Sequence, residues 1–380
     1  MTRSAPPAPR ASPLEPGPWR LLPSVAMRAV VKTGPGPGLE WADQPIPEPR
    51  EGEVLIKVKA ASICGTDLHI RSWDPWAAEH VLPPLVIGHE MCGIVEAHGP
   101  GVTGPPVGSL VSVESHVVDG TCAWCRTGRG HLCPQTRILG VHRDGAFAEY
   151  VTIPAINAWP NTPGTQYSIA SLLENFGNAV HTASTPPVAG RKVLVTGAGP
   201  VGVMAVAVAR ALGARSVIST DVSDYRLDLA RTLGATLTIN PRRDDVAAAV
   251  REATDGEGVD VLLEMSGAES AITEGFEVLK PGGHAALLGL SSKPIQFDLD
   301  DAVVFKGATV HGIVGRRLWE TWYEGKALLR GGGVDLAPLV THRFRIEDFD
   351  AAFDLMASGE CGKVVMFFDP EDADGPLETV

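Results

Sequence analysis

Lys192-Val193-Leu194-Val195-Thr196 runs without a break into Gly197-Ala198-Gly199-Pro200-Val201-Gly202, and then into an Ala- and Val-rich stretch ending at Leu212. The first run has strand character, the glycines demand a turn, and the last stretch has helix length. In that order Gly197 permits the tight turn, Gly199 lets a pyrophosphate approach the backbone, and Gly202 lets the helix lie close on the strand. Pro200 and Val201 open the helix, whose N-terminus faces the phosphate charge. An acidic residue is expected about 20 positions further on. It is Asp221, 19 residues after Gly202 and directly behind the strand-like run 216–220. Its carboxylate suits the ribose hydroxyls of NAD and repels the 2′-phosphate of NADP. Arg226 follows, placed to pack over the adenine or to pair along its own helix.

The same strand and helix alternation continues around the turn. Strand-length apolar runs recur at 236–239, 259–265 and 284–288, with a helical stretch at 225–233 among the intervening segments. That pattern makes βαβ units around a parallel sheet. From Met27 to about Tyr150 the texture differs: short strands such as 54–58, 94–96, 110–113 and 146–153, split by Gly and Pro, predict a β-rich, barrel-like module. With 380 residues the chain is long for one core and suits two domains. Residues 1–26 carry seven prolines and no apolar core of a signal peptide, and read as a Pro-rich disordered tail. No run approaches the roughly 18 apolar residues of a membrane span. A net charge of −13 argues against a general nucleic-acid binder, which needs a basic surface.

Two groups of residues have metal-ligand character. Ala61-Ser62-Ile63-Cys64-Gly65-Thr66-Asp67-Leu68-His69 places a thiol, a hydroxyl, a carboxylate and an imidazole at the end of a strand, where a loop is expected. Gly88-His89-Glu90 adds a second imidazole and carboxylate between two apolar runs. Cys64 and His89 on neighbouring strands would supply two of the three protein ligands of a catalytic zinc. The second group is Cys122, Cys125 and Cys133, with Asp119 three residues before the first, a set suited to a closed structural zinc site. Six cysteines in so long a chain point to metal ligation in a reducing compartment, the cytoplasm, and not to a disulfide framework. Cys92 and Cys361 read as buried and inert, and the acidic run 369–374 reads as solvated surface.

The segment Gly88-His89-Glu90-Met91-Cys92-Gly93, with Gly99 and Val102 after it, resembles the zinc signature of the medium-chain alcohol dehydrogenases. Gly at 93 excludes HExxH protease chemistry. The resemblance runs from 27 to about 368 and is strongest to the threonine-oxidising branch of that family. The segments that carry it are 63–69, 72–76, 176–182, 263–267, Gly315-Arg316, 320–323 and 341–344. It implies an α/β architecture: a GroES-like β-rich catalytic domain over 27–177 and 318–380, and a doubly wound Rossmann domain over 178–317. It implies a catalytic zinc on Cys64, His89 and Glu174, with Glu90 an adjacent carboxylate able to approach the metal and Asp67 orienting His89. Gly315 and Arg316 are then placed at the cofactor. Asp119 departs from the family, which has a fourth Cys there. The implied reaction takes the secondary hydroxyl of L-threonine to 2-amino-3-oxobutanoate with NAD, Thr66 and His69 relaying the proton. Glu90 and His116 are candidates to meet the substrate's ammonium and carboxylate. A polyol or 2,3-butanediol dehydrogenase would keep the same ligands; a non-catalytic nucleotide-responsive protein would have no use for them. The implied assembly is a homotetramer, the segments 283–289 and 308–312 extending the sheet between subunits.

Overall fold

A computed structural model describes residues 26–291 and 293–379. The tail expected over 1–26 lies outside them except for Ala26, which begins the strand Ala26–Lys32.

The Gly-rich turn sits at the centre of a six-stranded sheet. Its order is Leu237–Ile239, Ser216–Thr220, Lys192–Thr196, Val259–Glu264, Leu279–Leu287, Thr309–Gly312, and every pairing is parallel. Numbered along the chain this is 3-2-1-4-5-6, the doubly wound order whose ligand crevice opens where the chain reverses direction. That reversal lies between Lys192–Thr196 and Val259–Glu264. All five residues of Lys192–Thr196 are buried, as a strand covered on both faces requires. The helix Pro200–Ala211 packs over it with eight residues buried, among them Val203, Met204, Val206 and Val208. No helix among the described residues is long and apolar enough to cross a membrane.

The remaining strands build the β-rich module. A seven-stranded sheet runs Ala158–Pro160, Leu110–Val113, Glu90–His98, Glu53–Ser62, Lys363–Phe367, Val340–Arg345, with Tyr150–Pro154 also pairing to Glu53–Ser62. A smaller sheet joins Glu40–Pro45, Ala26–Lys32 and Leu85–Val86. The last two strands of the larger sheet come from the C-terminal end of the chain, so the module is closed by sequence about 300 residues from its start. The boundary expected at 177/178 falls inside the helix Leu173–Ser184, which runs from one module to the other.

Three local expectations are corrected. The strand expected over 146–153 is regular only from Tyr150 to Pro154. Residues 145–147 instead donate their N–H groups to Val86, Gly88 and Ile87, because Phe147 folds tightly over Gly88. Cys64 is not followed by a loop but begins the helix Gly65–Ser72: its backbone is still extended, and Asp67 accepts its N–H at 2.9 Å to cap the first turn. The acidic run 369–374 is not merely solvated. Asp372 pairs with Lys59 at 2.8 Å, and Asp374 accepts from Ser168 at 2.7 Å and Arg343 at 3.0 Å, tying the C-terminus to the sheet.

Candidate active site

Strand pairing explains how the metal ligands meet. Glu53–Ser62 and Glu90–His98 are antiparallel neighbours with Ser62 opposite Glu90, so Cys64, just past one strand, faces His89, just before the other. Gly88 makes the approach possible. It holds φ at +93°, and a Cβ there would sit 2.2 Å from the Phe147 ring. The ligand atoms of Cys64, His89 and Glu90 all lie within 4.8 Å of one another. Cys64 also stands at the N-cap of the helix Gly65–Ser72.

Around this group the polar accounting is incomplete in a way that fits a cation. His89 Nδ1 lies 3.6 Å from Asp67 Oδ1, and both atoms are buried without a hydrogen-bond partner. Burial opposes charge on the His89 imidazole, but the Asp67 carboxylate and the Cys64 thiol outweigh it and raise its pKa well above the usual value. An environment that attracts positive charge onto an enclosed imidazole, with sulfur, nitrogen and oxygen donors converging, suits Zn²⁺. Asp67 is the carboxylate that stands beside the His89 ring.

The carboxylates divide their roles differently from the expectation. Glu90 belongs to the converging group and is fully buried, its oxygens taken by Ser62, Lys363 and, at 2.6 Å, Asn175. Glu174 is outside that group: its Oε1 accepts from Ser115 at 2.6 Å and pairs with Arg316 at 2.8 Å. Arg316, expected at the cofactor, is buried against Glu114 and Glu174, because two enclosed carboxylates there need a cation. Gly315 accepts from His181 Nδ1 at 2.8 Å. His116 is also engaged, 3.0 Å from Arg316, and burial and that cation push its pKa down to about 4. The two groups expected to meet the substrate's charges, Glu90 and His116, are therefore already committed within the protein.

Thr66 Oγ1 lies 3.8 Å from Cys64 Sγ. His69, on the same helix, holds Asp74 at 2.6 Å while 58% of its side chain remains exposed. Thr66 thus sits at the ligand group and His69 at the surface. The second metal group also assembles: Asp119, Cys122, Cys125 and Cys133 have ligand atoms within 4.8 Å of one another. The N–H groups of Cys122 and Thr121 hold the Asp119 carboxyl at about 2, so the group offers an anionic oxygen beside three sulfurs.

Lys363, Asn175, Glu114, Ser115 and Trp322 reach the site without having been singled out as site residues. The polar triple Glu114-Ser115-His116 directly behind an apolar strand is a signal that could have found two of them. Nothing local marks Lys363.

At the Gly-rich turn Gly197 holds φ at +87°, and a Cβ on Gly202 would lie 1.9 Å from the Gly197 carbonyl oxygen. Asp221 accepts from Ala198 N–H at 2.7 Å and Ser223 N–H at 2.8 Å, which aims its carboxylate at the turn. Arg226 leans toward the far module, where a Cβ on Gly359 would meet its Nη2 at 3.4 Å, and its Nε is buried without a partner. Asp221→Ala should weaken NAD binding by about 10- to 100-fold, the loss of a charged hydrogen-bond acceptor, and narrow the ratio of kcat/KM for NAD over NADP. An unchanged ratio would remove Asp221 from cofactor choice.

The alcohol dehydrogenase GroES-like domain matches residues 50–163, and the zinc-binding dehydrogenase domain matches residues 200–330. An L-threonine 3-dehydrogenase from Pyrococcus horikoshii is 47% identical over 343 residues, covering 90% of this chain and 99% of that protein. Among solved structures, an Escherichia coli alcohol dehydrogenase complexed with NADH superposes with a TM-score of 0.83 at 30% identity, covering 90% of this chain and 99% of that one. The 2R,3R-butanediol dehydrogenase of Bacillus subtilis gives 0.82 at 26% identity, covering 90% and 100%.

Proposed function

The chain belongs to the zinc-dependent medium-chain alcohol dehydrogenases, and from that membership we propose that it oxidises the secondary hydroxyl of L-threonine to 2-amino-3-oxobutanoate. The observation that carries this is a 47% identity to an L-threonine 3-dehydrogenase sustained over 90% of the chain, with the Cys64, His89 and Glu90 ligand atoms converging inside it. In the balanced reaction the carbinol carbon gives hydride to NAD, the hydroxyl gives up a proton, and a ketone, NADH and H⁺ result.

Zinc held by Cys64, His89 and Glu90 supplies the Lewis acidity that makes the hydroxyl proton easier to lose. The protein does the rest. Asp67 fixes the His89 ring, and the buried Lys363, Ser62 and Asn175 hold Glu90 in one orientation. Thr66 accepts the proton at its hydroxyl. His69, oriented by Asp74 and open to water, passes it on to solvent. The glycine turn and Asp221 would hold the dinucleotide at the sheet's reversal point, where it would accept the hydride.

Turnover on a small alcohol panel tests the substrate. L-threonine is expected to exceed sorbitol and 2,3-butanediol by roughly 100-fold or more in kcat/KM, the preference that the 47% identity to an L-threonine 3-dehydrogenase implies. Faster oxidation of butanediol would instead favour the reading suggested by the Bacillus subtilis structure. We also propose a homotetramer in the cytoplasm. The edge strand Thr309–Gly312 leaves one side of the six-stranded sheet open, with Val310 41% exposed, and all six cysteines are free thiols.

A further inference from the structure

Arg316 holds two carboxylates unequally, its Nη2 also reaching Ser115 at 3.2 Å and His116 at 3.0 Å. Nε, at 2.8 Å, and Nη2 both bond Glu114, one to each oxygen, so Glu114 occupies the guanidinium fork. Glu174 has only an ion-pair approach to Nη1, at 2.8 Å, while that nitrogen donates to Asn178 at 3.2 Å. The hydrogen bond from Ser115, at 2.6 Å, and the ion pair with Arg316 both fall on Glu174 Oε1. Among the described residues its Oε2 has no hydrogen-bond partner. All three side chains are essentially enclosed, at 1% for Arg316, 0% for Glu114 and 5% for Glu174.

The arrangement is built in from several directions. Trp322 donates its indole N–H to Glu114 at 2.7 Å, anchoring the carboxylate that takes the fork. Gly177 is required on the helix Leu173–Ser184, since a Cβ there would lie 2.5 Å from Arg316 Cδ. On that helix Asn175, next to Glu174, bonds Glu90 of the ligand group at 2.6 Å. One helical turn therefore connects the Arg316 pairings to the metal site.

We propose that Glu114 is a positioning residue: by occupying the fork of Arg316 it keeps Glu174 loosely held, so that Glu174 can turn its free oxygen to a cation at Cys64, His89 and Glu90. Two carboxylates compete for one guanidinium. Neutralising Glu114 lets Arg316 close on Glu174 with both arms, and the cation loses an anion it could draw on. This rests on the zinc centre of the proposed function and is independent of which alcohol is oxidised.

The test is the zinc dissociation constant of the catalytic site, read by competition with a chromophoric chelator, the Asp119 and Cys122 lobe serving as internal reference. Glu114→Gln is expected to raise that constant about 10-fold, the size of effect seen when a partner behind a metal ligand is lost. In a Glu174→Gln background the same change is expected to leave it within about twofold, because the residue through which Glu114 acts is gone. An equal rise in both backgrounds, or none in the first, would overturn the proposal. If Glu114→Gln does not fold, the Glu114→Gln/Arg316→Gln double variant removes both charges together and frees Glu174. Its constant should be at or below that of the parent, and a raised constant would overturn the proposal. Threonine turnover does not enter this readout, so failure of the substrate assignment leaves it interpretable.

Discussion

Cys64→Ser is expected to lower alcohol oxidation by roughly 10³-fold or more, equivalent to about 4 kcal/mol of transition-state stabilisation. The substitution is nearly isosteric, so packing is not the cause. It replaces a soft sulfur donor with a hydroxyl, a poor ligand for zinc. The ligand group of Cys64, His89 and Glu90 then keeps one imidazole and one carboxylate, and that carboxylate is already taken by Lys363, Ser62 and Asn175. NAD binding is expected to stay within about twofold of the parent, since the glycine turn belongs to a separate sheet. Steady-state rates with metal analysis give the first quantity, and quenching of protein fluorescence by NADH gives the second. Full turnover by the variant would refute the ligand assignment. Joint loss of turnover and NADH binding would show that the thiol supports the fold instead.

What could be read from the chain depended on how local the determining contacts are. The turn from Gly197 to Gly202 was legible because strand, turn and helix are contiguous, and the geometry that forbids side chains there acts within six residues. Asp221 was legible because its distance from the turn is set by one βα unit. Cys64 and His89 could be paired because each sits at the end of a recognisable strand. The helix after Cys64 was hidden: Thr66, Asp67 and His69 look like loop residues until Asp67 is seen capping the Cys64 N–H. The ion pairs of the site were hidden more deeply. Arg316 meets Glu114 across 202 residues, and Lys363 meets Glu90 across 273. No periodicity links such positions. What marks them is that a buried charge requires a partner, and burial is known only once the sheets are assembled.

Lys363 is where that rule has its largest expected consequence for stability. It opens the strand Lys363–Phe367, all five residues of which are buried, and donates to the Ile63 carbonyl at 2.9 Å as well as to Glu90. Burial disfavours its charge, but the Glu90 carboxylate and the Cys64 thiol raise its pKa above the ordinary lysine value. With the folded pKa above the unfolded one, the Lys363 charge contributes its stability fully below about pH 10, wherever its carboxylate partner is ionised, and loses it as pH rises past the folded value. Lys363→Met keeps the apolar stem and removes the charge, leaving Glu90 ionised and enclosed without its cation. A loss of about 3–5 kcal/mol in unfolding free energy is expected, read as a fall in the urea midpoint of the metal-free protein at neutral pH. The decisive comparison is Lys363→Met/Glu90→Gln. If the cost arises from a stranded carboxylate, removing both charges should recover most of it, even though the double variant has lost more polar contacts than the single one. If the cost arises from packing of the strand, Glu90→Gln should add a loss of its own, and the double variant should be the least stable of the set.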